Sequence, residues 1–311
     1  MESKYEKLSV WLDGKIVSYK DAKVPILTHS LQYGSGIFEG IRSYETEEGA
    51  AIFRLHEHVE RFLRTAKIYS MDLHASGKEI EQAIVEVVRK NGIKQTYIRP
   101  FAFYNDDSIG VNTKGKEVSI FIAAVPFGKY FESSKGITCK VSSWHRLRSD
   151  VLPIEAKASG NYLNSIIASA EARASGFDEA IMTTSNGSVA EGAAENIFLV
   201  EDGKLVTPDR GSAILMGITR DTILKLAHEL NIETEEREVH KEELYIANEV
   251  FFSGTAAEIT PIINIDGIKI GNGEQGENTK LLSKAYQDVV HGRTKKHRDW
   301  LTECLAESPR S

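Results

Sequence analysis

The sequence predicts a mixed α/β protein on three observations. Short strand-like runs alternate with segments of helical periodicity, Asx-Gly turn signals recur between apolar runs, and the composition sits near globular averages. The 311 residues are enough for one large domain or two of ordinary size, and a chain of that length buries a core without a metal or disulfide staple. Its 38 basic and 45 acidic side chains leave a net charge of −7, which argues against a general nucleic-acid binder. Only Cys139 and Cys304 are present, in no metal-ligand spacing, so neither a disulfide framework nor a zinc site is expected. The start of the chain, Met1 to Lys7, is charged and unlike a signal peptide, and the longest nearly apolar run, Ile120 to Phe127, falls far short of a membrane span. A cytoplasmic globular protein is the expectation.

The elements follow in order. Val10-Trp11-Leu12 and Lys15-Ile16-Val17 flank Asp13-Gly14, the pair that a two-residue hairpin turn favours because both residues tolerate positive φ. After a Gly-rich stretch from Gly34 to Gly40, Val59, Phe62, Leu63 and Ala66 have helical spacing within about His56 to Tyr69. Ser76 and Glu79 form a capping-box pattern ahead of Ile80, Ala83, Ile84, Val87 and Val88, and Asn91-Gly92 stops that helix. Tyr97 to Tyr104 and Val118 to Val125 read as buried strands. Pro126 to Gly136 is the candidate linker, so residues 1–125 form a first domain and 137–311 a second. Beyond the linker come a strand, Ile137 to Trp144, and a helix, Tyr162 to Ala174, with Leu163, Ile166, Ile167 and Ala170 on one face and Gly176 as its stop. Asn186-Gly187, Asp202-Gly203 and Asp266-Gly267 each separate apolar runs, and Thr219 is the expected cap of a helix carrying Ile223, Leu224, Ala227 and Leu230 inward. From about Gly292 the mixture of Arg, Lys, His and Glu reads as a surface helix or frayed tail.

The chain carries no phosphate-binding Walker loop, no G-x-G-x-x-G, no H-E-x-x-H and no G-x-S-x-G. What stands out is subtler. Lys157 lies among small residues in Glu155-Ala156-Lys157-Ala158-Ser159-Gly160-Asn161. Most lysines are solvated charges, but small neighbours let a planar ligand approach, and a desolvated lysine loses its proton more readily and becomes nucleophilic. Glu191 and Glu195, separated by Gly-Ala-Ala, are either one exposed and one capping carboxylate or a partner for a cation or heterocycle nitrogen. Thr219 at a helix start and Ser253-Gly254-Thr255-Ala256-Ala257 after a strand are ordinary turns taken singly, although free N–H groups at a helix start suit a phosphate. The residues alone point to an α/β enzyme with a phosphorylated ligand.

Together, these segments resemble the branched-chain amino acid aminotransferases, fold type IV enzymes that use pyridoxal 5'-phosphate (PLP). The resemblance runs from about Trp11 to Gly271. It rests on seven strings in the family's order: His29-Ser30-Leu31-Gln32-Tyr33-Gly34, Phe38-Glu39-Gly40-Ile41-Arg42, Tyr97-Ile98-Arg99-Pro100, Ala156-Lys157-Ala158-Ser159-Gly160-Asn161-Tyr162, Glu191-Gly192-Ala193-Ala194-Glu195-Asn196, Gly217-Ile218-Thr219-Arg220-Asp221 and Ser253-Gly254-Thr255-Ala256-Ala257-Glu258. It implies a small N-terminal α/β domain, a larger C-terminal pseudo-barrel domain, and a cofactor between them.

By resemblance, Lys157 is the Schiff-base lysine and shuttles the proton between the substrate Cα and the cofactor. Glu191 faces the pyridine nitrogen and keeps it protonated, so that the ring accepts electrons. Tyr162 bonds the ring's phenolic oxygen. Arg61 binds the phosphate with its planar fork, joined by the backbone of Ile218 and Thr219 and the Thr255 hydroxyl. Glu195 is expected to shape the wall rather than to catalyse. Tyr33, Tyr97 and Arg99 match carboxylate-recognising residues, with the N–H groups of Thr255 and Ala256 nearby, and Phe38, Tyr130 and Phe127 form apolar walls. Phe127 departs from the Trp that some members carry. The loop Asp106 to Val111 is expected to close the pocket from a neighbouring subunit, which makes the chain a homodimer or a higher homo-oligomer. The implied reaction is reversible transfer of the amino group of L-Leu, L-Ile or L-Val to 2-oxoglutarate. The nearest alternatives are a D-amino-acid transaminase and an aminodeoxychorismate lyase; Tyr97-Ile98-Arg99 and the 253–257 turn favour the branched-chain reading.

Overall fold

The computed structural model describes residues 3–131 and 135–304, so residues 132–134 of the expected linker lie outside the described residues. The chain divides into two compact units. The first takes the chain up to Gly128, the short piece Ala156–Gly160 and the chain from Asp288 onward; the second takes Lys129–Glu155 and Asn161–Gln287.

The first unit contains β1 (Ser9–Leu12), β2 (Lys15–Ser18), α1 (His29–Tyr33), β3 (Ile37–Phe38), β4 (Ile41–Thr46), β5 (Gly49–Phe53), α2 (Leu55–Ile68), α3 (Gly77–Asn91), β6 (Thr96–Tyr104) and β7 (Val118–Pro126). A further strand, Leu301–Glu303, lies beside β5 in an eight-stranded antiparallel sheet that continues β5-β4-β6-β7-β1-β2, with β3 paired to β6. The first hairpin forms as expected: Leu12 faces Lys15, and Asp13 and Gly14 have φ of 44° and 88°. Both halves of the Ser76–Glu79 capping box are present. Val59, Phe62 and Ala66 of α2 and Ile80, Ile84 and Val87 of α3 share one core with Ile41, Ile52, Ile98 and Ile122 of the sheet. The helical spacing thus turned the apolar stripes of α2 and α3 into that core.

The second unit contains β8 (Ile137–Val141), α4 (Ser159–Ala174, whose first two residues belong to the first unit), β9 (Glu179–Thr183), β10 (Val189–Gly192), β11 (Asn196–Glu201), β12 (Lys204–Pro208), α5 (Ile218–Glu229), β13 (Thr234–Arg237), α6 (Lys241–Ile246), β14 (Glu249–Gly254), β15 (Glu258–Ile265), β16 (Ile268–Lys269) and α7 (Glu277–Val290, whose last turn belongs to the first unit). Its nine-stranded sheet has the order β10-β9-β8-β15-β14-β11-β12-β13, with β16 on β15. Parallel pairing occurs at β8–β9, β8–β15 and β12–β13. The first of these needs a crossover, and α4 supplies it.

Two expectations are corrected and one is completed. Leu163, Ile166 and Ile167 do share a face of α4, but it is the outer one: they are 63%, 60% and 40% exposed. Asn161, Ser165, Ala168 and Ala172 are buried instead, and small side chains let the helix lie close to Ala180 and Met182 of β9. Thr219 does not cap α5. Gly217 is the N-cap and Thr219 falls in the first turn; the position needs glycine, because a Cβ there would stand 2.1 Å from Asn196 Oδ1. Finally, the stretch after Gly292 is no frayed tail up to Cys304, since Leu301–Glu303 pairs with Ala51–Phe53.

Candidate active site

In the first unit, the piece that carries Lys157 is pinned on two sides. Phe38 N–H donates to the Lys157 carbonyl at 2.9 Å and Ser159 N–H to the Gly36 carbonyl at 2.8 Å, while Lys157 N–H donates to Thr65 Oγ1 of α2 at 3.3 Å. Its Nζ lies 5.1 Å from the centroid of the Phe38 ring. The Arg99 guanidinium stands 4.5 Å from the same ring and 5.4 Å from that of Tyr97, and Arg99 Nη2 donates to the Tyr97 hydroxyl at 3.4 Å. Phe127 packs on Tyr97 with ring centroids 5.0 Å apart. Lys157, Phe38, Tyr97, Arg99 and Phe127, separated by as much as 119 positions, therefore form one cluster. Arg99 Nε is buried there without a hydrogen-bond partner, which suits a group that receives an anionic ligand. Gly40 is required on steric grounds, because a Cβ would come within 2.0 Å of the Tyr97 hydroxyl oxygen.

Arg61 joins this cluster through a carboxylate absent from the sequence-based roles. Its Nε and Nη2 donate to Glu39 Oε1 and Oε2 at 2.7 and 2.9 Å, and His58 Nδ1 lies 2.8 Å from Oε2. All three side chains are buried. Burial alone would push the Glu39 carboxyl up, but the Arg61 charge and hydrogen bonds, with His58 behind them, hold it well below the usual carboxylate range. Burial pushes His58 down, against the pull of Glu39, and so favours the neutral ring, which donates from Nδ1. The Lys157 amine falls to about 8, first through desolvation and then through the Arg61 charge. A larger fraction of neutral amine near neutral pH is what a nucleophilic lysine requires.

Tyr33 engages the 106–110 loop. Gly110 N–H donates to its hydroxyl at 3.0 Å, His29 N–H donates to the Asp106 carbonyl at 2.8 Å, and Lys116 Nζ lies 2.9 Å from Asp106 Oδ1.

In the second unit, Glu191 lies at an irregularity of β10, between Val189 and Glu191, the kind of place where a strand re-aims a side chain. Its buried carboxylate accepts from Arg146 Nε at 2.7 Å, from Asn196 Nδ2 at 3.0 Å and from Leu215 N–H at 3.1 Å. Arg146 is itself anchored by its N–H to the Thr183 carbonyl at 2.7 Å. Asn196 is the junction of this unit's candidate residues. Its Nδ2 also donates to the Leu215 carbonyl at 2.8 Å, its Oδ1 packs on Gly217 at the start of α5, and its backbone pairs with Ser253. Glu191 and the start of α5 are thereby tied to one side chain, while the Asn196 backbone pairs with Ser253 two residues before Thr255. Ile218 and Thr219 sit in the first turn of a twelve-residue helix, whose N–H groups and dipole favour an anion. Glu195 is buried with its carboxylate folded back on the Ala194 N–H at 3.0 Å, a wall rather than an approachable acid. Tyr162 lies partly buried in the first turn of α4, and Tyr130 stacks edge-on with Phe131.

Sequence reasoning did not single out Glu39, His58, Arg146 or Asn196. Glu39 and Asn196 stand inside quoted motifs, and His58 precedes Arg61 by three positions on one helix, so these three left a signal. Arg146 left none.

The arrangement offers a desolvated amine beside an arginine pair in one unit, and a firmly held carboxylate beside a helix start in the other. Taken unit by unit, the first suits an aldehyde or an anion, and the second suits a cationic heterocycle and, at the helix start, an anion. The description amino-transferase class IV belongs to a family model that matches residues 36–265. The branched-chain-amino-acid aminotransferase of Escherichia coli K12 is 44% identical over 298 residues, covering 94% of this chain and 96% of the relative. The branched-chain aminotransferase of Thermoproteus uzoniensis, solved with norvaline, is 47% identical with a TM-score of 0.92, covering 96% of this chain and 99% of that one. The branched-chain amino acid aminotransferase of Thermobaculum terrenum, solved in its PLP form, is 36% identical with a TM-score of 0.92, covering 97% of this chain and 99% of that one.

Proposed function

The chain belongs to the class IV aminotransferases, and from that premise we propose that it transfers the amino group of L-Leu, L-Ile or L-Val to 2-oxoglutarate with Lys157 as the catalytic amine. It is a PLP-dependent branched-chain-amino-acid transaminase acting on amino and oxo acids. When bound, the cofactor supplies an aldehyde for amines to condense with and a ring that takes up the electron pair released at the substrate Cα. The residues supply the rest.

Lys157 takes and returns the proton at Cα; its lowered affinity for protons makes it a competent base near neutral pH. Glu191, held by Arg146 and Asn196, would face the pyridine nitrogen and favour its protonated form. Arg61, the Ile218 and Thr219 N–H groups and the Thr255 hydroxyl would hold the phosphate, and Tyr162 would bond the phenolic oxygen. Arg99, Tyr97 and Tyr33 receive substrate carboxylates, with the Thr255 and Ala256 N–H groups. Phe38, Phe127 and Tyr130 line the side-chain pocket, apolar enough for a branched chain while the Arg99 charge admits the second carboxylate of glutamate.

The observation that carries this reading is the Lys157 amine and the Arg99 guanidinium on one Phe38 ring. A glutamate-coupled assay with L-Leu, D-Ala and aminodeoxychorismate tests it. Turnover of L-Leu that vanishes in Lys157→Ala is expected; turnover confined to D-Ala would refute the substrate assignment.

Self-association belongs to the same proposal. Ile26, Leu27, Leu31, Ile109 and Val111 of the first unit and Leu163 and Ile166 of α4 are exposed apolar side chains, a supply of surface that a second copy would cover. Light scattering of the full chain should give at least a dimer. Among the described residues no helix is long and apolar enough to cross a membrane. A cytoplasmic setting fits two free, buried cysteines.

A further inference from the structure

Of the cavities among the described residues, one is a surface cleft of about 690 Å³ lined by Lys7, Lys20 and Lys90, and a second of about 580 Å³ holds His145, Ser142 and Glu171. Their polar groups are exposed or already paired to one another. The buried Glu39–His58–Arg61 cluster differs, because it places an ionised carboxylate in the core at a residue with no assigned task.

We propose that Glu39 and His58 are positioning residues that clamp one edge of the Arg61 guanidinium and so aim its fork at the cofactor phosphate. The inference rests on the assignment of Arg61 to that phosphate. Three observations support it. The Glu39 carboxylate meets Nε and Nη2 of Arg61 together, the bidentate geometry that fixes a guanidinium in both direction and plane. His58 and Arg61 lie one turn apart on α2 and reach the same carboxylate, so Glu39 is locked between two donors of one helix. Glu39 also belongs to the Ile37–Gly40 segment: Phe38 N–H donates to the Lys157 carbonyl and Glu39 N–H to the Pro100 carbonyl. The segment that aligns the amine thus carries the clamp. A long arginine that had to find its pose at each binding event would lose rotamer freedom each time; one already held loses little.

The test titrates the full chain, stripped of cofactor, with PLP and separately with pyridoxal, which lacks the phosphate. Arg61→Ala should weaken PLP strongly and pyridoxal hardly at all. Glu39→Gln should show the same selectivity, with PLP affinity falling about tenfold and pyridoxal affinity by less than about twofold. In the Arg61→Ala background, Glu39→Gln should change neither. His58→Leu should weaken PLP about threefold, and His58→Asn, whose amide replaces the Nδ1 donor, should recover it. Equal loss of both ligands in Glu39→Gln, or no loss, overturns the inference, as does a persistent effect without Arg61. If Glu39→Gln does not fold, the His58 pair decides by the same criterion. An Arg61→Ala chain that binds PLP normally would instead remove the phosphate assignment itself, a distinct result.

Discussion

Each unit buries one carboxylate against one arginine, with the Nε–O distance 2.7 Å in both, yet the two pairs are built differently. Glu39 receives its side-chain partners from a single helix, His58 and Arg61 of α2, three positions apart. Glu191 gathers Arg146, Asn196 and the Leu215 N–H from three separated segments. The first joins two segments, the residues after β3 and α2. The second joins β10 to β11 and to the segments that carry Arg146 and Leu215. On the roles proposed above, the phosphate-binding arginine is held through one helix, whereas the carboxylate assigned to the pyridine nitrogen is held from three segments.

The largest effect tests the premise. Lys157→Ala removes the proposed base and covalent anchor together, and on that proposal kcat should fall by about 10⁴-fold or more, with loss of the yellow colour of the loaded protein. Stability comes next. Glu39→Leu or Glu191→Leu leaves a buried guanidinium without its main partner, which costs about 3–5 kcal/mol and should appear in thermal scans of the cofactor-free chain. The two sites should then diverge: replacing Glu39 and Arg61 together by apolar residues should restore most of the loss, whereas replacing Glu191 and Arg146 together should not, because Asn196 and Leu215 N–H still face the vacated position. Full recovery at both sites would erase the distinction.

Gly40→Ala should act more gently. Its Cβ forces the Tyr97 hydroxyl aside, and KM for the amino acid should rise by about five- to tenfold with little change in Tm, consistent with about 1 kcal/mol of lost contact. The Lys157 amine gives a pH signature. Its folded pKa of about 8 lies below the 10.5 of an ordinary lysine, so between those values the unfolded chain holds a proton that the folded chain has released. Stability of the cofactor-free chain should therefore rise with pH across that window, the penalty being fully present below about pH 8. Urea unfolding at pH 7.5 and 9.5, compared with Lys157→Met, measures it; a flat difference would mean an unperturbed amine. Smallest of all, Leu163→Ser on α4 should shift folding stability by no more than about 0.5 kcal/mol, while lowering the apparent mass in light scattering.

The same contrast explains what the sequence made legible. The hairpin at Asp13-Gly14 and the capping box at Ser76 are decided by a few neighbouring residues, and both formed as expected. The α2 and α3 stripes are helical-period patterns, and both became core. Lys157 announced itself through its small neighbours. The outer position of Leu163 and Ile166 was hidden, because helical spacing identifies a shared face but not which side meets β9. The Gly217 cap was hidden for a related reason: the need for glycine comes from Asn196, twenty-one positions earlier. Arg146 was the least visible residue, since only the fold brings it to Glu191.

Lys157 reaches the first unit on the brief excursion Ala156–Gly160, with the polypeptide on either side belonging to the other body. A gene fragment ending near Gly128 would encode Phe38, Arg61, Tyr97 and Arg99 yet lack the amine they surround. A polypeptide cut near Gly128 therefore parts the lysine from the side chains packed around it, and neither piece alone carries the complete cluster.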